Sequence, residues 1–304
     1  MSGGIGSSRH IVLSRLREPF FFGLIIATFF LTGCGGRDTP GLTPTTPATP
    51  KNYADMTGNW QLQGVVQPVQ PSIVIFPYVL FGASLTSTKG QVAGVMRIQR
   101  DQCGGQRRGP YLGSEAVPLT GSIELDGNFS LKATTASGTT VTASGLVSAD
   151  GTTLSNGTFA VVEATCSSSG GTLDGSRVPP VTGTWVANIS FDMVTGFGST
   201  AKTATVTEQW VQAATADDQG FFPITGTATV QGLSCLDSMD AAAPFSLTGS
   251  INGNQGNVSF SDKDGQTLTL AIEGVSNPTY TEATLEGGAT SCGYREGSVS
   301  LVKQ

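Results

Sequence analysis

The chain has 304 residues, 38% hydrophobic and 12% charged, with 41 glycines, five cysteines and one histidine. Soluble domains usually carry about 25% charged residues, so Thr, Ser, Asn, Gln and Gly must cover this surface instead. With 16 Lys and Arg against 22 Asp and Glu, a nucleic-acid partner is not expected, and the odd cysteine asks for its own explanation.

Residues 1–33 read as a cleaved signal peptide. Arg9, Arg15 and Arg17 form a basic start, and Phe20–Leu31 is an apolar run of 12 residues. A spanning helix needs about 20, so the run fits a signal rather than a permanent span. It ends in Leu31-Thr32-Gly33-Cys34. This resembles the lipobox of bacterial lipoproteins, an aliphatic residue and two small ones before a cysteine. The resemblance implies that Cys34 becomes the first mature residue and is acylated on its sulfur and its amine. Several acyl chains anchor firmly, at ~0.8 kcal/mol per buried CH₂. Gly35 stands where Asp would mark inner-membrane retention, which implies the outer membrane. The expected location is therefore the bacterial cell envelope, on its periplasmic or surface face, with membrane lipid as a partner. A plain secretory signal cut elsewhere, with Cys34 incidental, is the alternative.

Cleavage removes Arg9, Arg15 and Arg17 together with Glu18 and His10. That leaves 13 basic and 21 acidic residues, a net of −8, and no histidine. Ser-His-Asp and Cys-His nucleophile pairs and the commonest zinc and copper ligand sets are then disfavoured. No metal, no cofactor and no enzyme activity are expected. Residues 34–55 hold the lipidated Cys34 and a tether. Within it, 35–51 is rich in Pro, Thr and Gly and too polar to bury a core. At ~3.1 Å per residue it reaches roughly 50 Å.

The rest is two copies of one unit, 56–178 and 181–304, joined at Pro179-Pro180. Thr57-Gly58-Asn59-Trp60 returns as Thr182-Gly183-Thr184-Trp185, 125 positions later, and Leu119–Ile123 returns identically as Leu247–Ile251. Cys103 aligns with Cys235, Cys166 with Cys292, and Arg177 with Lys303. So short and stiff a joint predicts a fixed or narrowly limited orientation.

Within each unit the period is two. Val141, Ala143 and Gly145 alternate with Thr142 and Ser144; Leu268, Leu270 and Ile272 alternate with Thr267, Thr269 and Glu273. Asp126-Gly127, Asp150-Gly151, Asn252-Gly253 and Asp264-Gly265 are turn signals between such runs. The second unit divides into eight strands, near 182–191, 202–211, 223–231, 244–251, 256–261, 266–275, 279–286 and 296–303. The first unit divides similarly, less clearly over 61–90. The predicted fold is all-β: two tandem eight-stranded antiparallel up-and-down barrels. Two immunoglobulin-like sandwiches are the alternative.

Gly58-x-Trp60 and Gly183-x-Trp185 resemble the Gly-x-Trp signature on the first strand of lipocalin-type barrels. That resemblance implies that Trp60 and Trp185 plug the closed ends. It also implies that a basic residue from the end of each unit, Arg177 and Lys303, lies across the ring. A cation–π contact gives the physical reason. The layout, with its TG-x-W and DG-T-T-L phrases, is also similar to bacterial tandem-repeat lipoproteins. In such a meander alternate loops lie at one end. Cys103 and Cys235 fall in third-to-fourth-strand loops, and Cys166 and Cys292 in seventh-to-eighth-strand loops. Disulfides Cys103–Cys166 and Cys235–Cys292 are therefore predicted, each worth ~4 kcal/mol in the chain-entropy model before strain.

The most apolar stretch of the mature chain is Ser72–Leu85. Ile73, Ile75, Phe76, Tyr78 and Phe81 are the candidate ligand-binding residues, as an apolar lip at a barrel mouth. The same stretch also reads as a core strand and a tucked loop. Asp262–Gly265 and Asp217-Asp218 read as solvated turns, and Trp60, Trp185 and Trp210 as core. The functional expectation is a lipid-anchored, non-enzymatic envelope protein that binds a small apolar ligand in or at the mouth of a barrel. The alternative is a structural or adhesive module that binds glycan or a protein partner through its loops.

Overall fold

Strand Asn128–Thr134 states the rule from which the fold is built. Phe129, Leu131 and Ala133 are buried; Asn128, Ser130, Lys132 and Thr134 are exposed. A strand with that period must hide one face and wet the other. A sheet that curls until its first and last strands pair hides all its apolar faces together and leaves no open edge. The computed structural model describes residues 52–67, 78–100, 115–136, 138–162, 169–195, 198–232, 244–261, 267–273, 281–287 and 297–304. Among these there is no helix.

The first sheet runs β1 (Gly58–Val66), β2 (Tyr78–Thr88), β3 (Gln91–Arg100), β4 (Val117–Ile123), β5 (Asn128–Thr134), β6 (Thr140–Val147), β7 (Thr153–Val162) and β8 (Ser169–Arg177). Each strand pairs antiparallel with its chain neighbour, and β8 returns to β1, so the sheet is a closed barrel. The second runs β9 (Gly183–Thr195), β10 (Gly198–Gln212), β11 (Phe222–Gln231), β12 (Phe245–Asn252), β13 (Gln255–Ser261), β14 (Thr267–Glu273), β15 (Thr281–Gly287) and β16 (Gly297–Lys303). It closes through β16 on β9. With every strand beside its chain neighbour, the crossovers of an immunoglobulin-like sandwich do not form.

Each barrel holds its own core, one around Trp60, Phe81, Leu131 and Phe159, the other around Trp185, Trp210, Phe260 and Leu270. Burying a side chain of this size contributes ~1.5–3 kcal/mol. The outer faces carry hydroxyls that pair across strands, Ser144 with Thr158 at 3.1 Å and Ser259 with Thr269 at 2.8 Å. Such pairs cover the outside of a sheet without charge, which accounts for the low Lys, Arg, Asp and Glu content.

Turns fall at the three predicted signals among the described residues, Asp126-Gly127, Asp150-Gly151 and Asn252-Gly253. Gly127, Gly151 and Gly253 all take positive φ. The Lys89-Gly90 turn joins β2 to β3 with both residues at positive φ, 51° and 80°, and carries no Asn or Asp to announce it. Strands β9 and β10 run longer than the sequence suggests and pair with each other from Thr195 opposite Gly198 to Gly183 opposite Trp210.

Candidate functional site

The repeated TG-x-W phrase builds the same latch twice. Ser87 N donates to Thr57 Oγ1 at 3.1 Å, and Gln212 N to Thr182 Oγ1 at 3.0 Å. Trp60 Nε1 donates to Met56 O, and Trp185 Nε1 to Val181 O, both at 2.7 Å. Gly58 and Gly183 sit at φ 134° and 142°. A Cβ there would meet Arg177 Cδ at 3.0 Å and Lys303 Cε at 2.9 Å, so the glycine makes room for the basic stem.

Arg177 stands opposite Trp60 in the strand register, and Lys303 opposite Trp185. The Lys303 ammonium lies 5.8 Å from the centre of the Trp185 ring and donates to Pro180 O at 3.3 Å. Arg177 instead donates to Thr57 O at 3.1 Å and Asp150 O at 3.3 Å. Each basic residue is thus the strand-register neighbour of its tryptophan, and only the Lys303 ammonium is seen to approach its ring.

Among the described residues, side chains occupy most of the first barrel's interior. Leu62, Phe81, Met96, Leu131, Phe159 and Leu173 surround a void of about 10 Å³, roughly what one water requires. Phe81 packs its edge on Phe159, centroids 6.2 Å apart, and is buried. Tyr78 is half-buried at the head of β2. Ile73, Ile75 and Phe76 lie outside the described residues, as do Cys34, Cys103, Cys166, Cys235, Cys292 and Asp262–Gly265.

The second barrel differs at the inner position opposite its first-strand tryptophan. Glu208 is fully buried and opposite Trp185, where the first barrel sets Ala83 opposite Trp60. Trp210 Nε1 donates to Glu208 Oε2 at 2.8 Å, and Trp185 stacks on Trp210 at 4.8 Å. Glu208 Oε1 is buried without a hydrogen-bond partner. Burial pushes this carboxyl up to about 8, against the smaller downward pull of the indole hydrogen bond. A signal for Glu208 exists in the sequence: it stands on the inward phase of Ala204-x-Val206-x-Glu208-x-Trp210.

The two barrels also meet, within one compact unit spanning 50–304. The β12–β13 turn of the second docks on the outer face of the first. Asn59 clasps Gly253, its Nδ2 donating to Gly253 O at 2.8 Å and its Oδ1 accepting from Gly253 N at 2.6 Å. Asn254 N donates to Gln61 Oε1 at 2.8 Å, and Gln99 Nε2 to Asn252 O at 2.7 Å. Gly82 lies beneath, where a Cβ would collide with Asn252 Oδ1 and Gln99 Nε2.

Beside this contact Arg97 donates to Gln219 O at 2.9 Å and lies 4.3 Å from the centre of the Phe221 ring. Burial pulls the Arg97 guanidinium below its ordinary value, and the charge of Asp217 opposes that shift. The Asp217 turn, exposed as expected, is closed by Gln219 N and Phe221 N donating to Asp217 Oδ1 at 3.0 and 2.8 Å. No protein-family model matches this chain, and no curated protein matches it.

Proposed function

We propose that this chain is a lipid-anchored, non-enzymatic protein of the bacterial envelope, a structural or adhesive module that engages a glycan or a protein through its surfaces. The small void among the described residues of the first barrel, about 10 Å³, supports this reading, since ligand pockets run to about 300 Å³ or more. The doubled TG-x-W latch supports lipocalin-like barrels as the finer fold. Cys34 supplies the anchor, Gly35 the sorting to the outer membrane, and Cys103–Cys166 and Cys235–Cys292 one disulfide per barrel. Glu208 Oε1, buried in the second barrel without a hydrogen-bond partner, is the observation that speaks for a carrier there.

Native mass spectrometry of protein purified from its own host tests the choice. After the acyl chains on Cys34 are accounted for, the expected mass carries nothing more. A small apolar molecule retained by the folded chain would establish the carrier instead. Labelled palmitate should enter the wild-type chain and not Cys34→Ser; equal labelling of both would remove the anchor from the proposal.

A further inference from the structure

In the register, Lys303, Trp185 and Glu208 lie side by side across β16, β9 and β10. This row also holds the joint between the barrels. Trp185 Nε1 binds Val181 O, Lys303 Nζ binds Pro180 O, and Val181 N donates to Gln212 Oε1 at 2.9 Å. Residues 180 and 181 are thus tied down by Trp185, which adjoins Glu208, by Lys303 beyond it and by Gln212. Around Glu208 stand Trp185 on β9, Val206 and Trp210 on β10, and Ala228 on β11, none of them titratable. The described core side chains of β12, β13, β14 and β16 that face it are apolar. The one charged group in the row is Lys303, on the other side of Trp185.

We propose that Glu208 is a proton-operated latch in the second barrel: protonated, it keeps Trp185 seated and the joint tied; deprotonated, it unseats Trp185 and frees residues 180–181. With its proton the carboxyl is neutral and can sit among apolar side chains. When the proton leaves to solvent, the charge has a single indole donor and a dry surround. Water must then enter, or the Lys303 ammonium must move toward the charge and release Pro180 O. Either change disturbs Trp185, whose indole holds Val181. The first barrel has Ala83 in the same place and no such device. The upward shift of this carboxyl to about 8 places the transition at mildly alkaline pH.

The chain has three tryptophans, so a proton–nitrogen correlation spectrum of the full chain shows three indole signals. On titration from pH 6 to 9.5, the Trp185 and Trp210 signals should move together with a midpoint near 8, while Trp60 stays still. In Glu208→Gln, which keeps the acceptor for Trp210, all three should stay still. Should that variant fail to fold, Glu208→Ala, copying Ala83, serves as the control. Movement of Trp210 alone would show a titrating acid that does not operate the joint, and would overturn the proposal. So would three stationary signals in the wild type, or the same movement in the variants.

Discussion

Glu208 and Ala83 occupy one position in two copies of the same barrel, and the difference has a thermodynamic sign. The folded state holds the Glu208 proton up to about 8, whereas the free side chain releases it near 4.5. The folded state therefore binds more protons across that interval, and stability falls as pH rises through it. The loss is on the order of a few kcal/mol at most, since water can reach an ionised group in a relaxed barrel. By calorimetry, the unfolding temperature of the wild type should drop from pH 5 to pH 8.5, and that of Glu208→Gln should drop markedly less. Equal slopes would mean that the carboxyl is already ionised in the fold.

Gly58 makes a second case at this scale. Its φ of 134° and the Arg177 stem beside it leave no room for a side chain. Gly58→Ala should lower stability by ~1–3 kcal/mol in denaturant titration, and Gly183→Ala by a similar amount.

Strand β2 shows how a stretch of sequence divides on folding. Its apolar run reads equally well as a ligand-catching lip or as core. Phe81 is core, edge-on to Phe159. Phe81→Ala should therefore destabilise the chain by ~3–5 kcal/mol; a near-neutral result would return Phe81 to an open lip.

The other strands were largely legible because a barrel has one inside. Polarity then alternates along every strand, and Asp-Gly and Asn-Gly pairs mark the tight turns. What escaped was decided by pairing across strands. The Lys89-Gly90 turn has only a glycine to signal it, and the ends of β9 and β10 lengthen by pairing with each other.

At the scale of the molecule, the contact between barrels is polar and tight. Asn59, Gln61 and Gln99 stand on the outward phase of β1 and β3, so alternation assigns them to solvent. They are buried because the Asn252-Gly253-Asn254 turn covers them. Gly82 is the floor of that contact. Gly82→Val should force the barrels apart without touching either core. Its calorimetric trace should split into two transitions where the wild type gives one, and its radius of gyration in solution should rise. An unchanged single transition in the variant would mean that the barrels unfold together for another reason, and would remove the contact as their coupling.

The sequence by itself determined the all-β class, the doubling of the unit and most turns. These follow from periodicity, local turn chemistry and repetition, which are properties of chain neighbours. Tertiary structure alone decided how little space the described side chains leave in the first barrel, that one Glu208 oxygen is buried without a partner, and that outward amides join the two barrels. Each of these depends on which side chains meet across space, where volume and unpaired charge are settled by residues far apart in the chain.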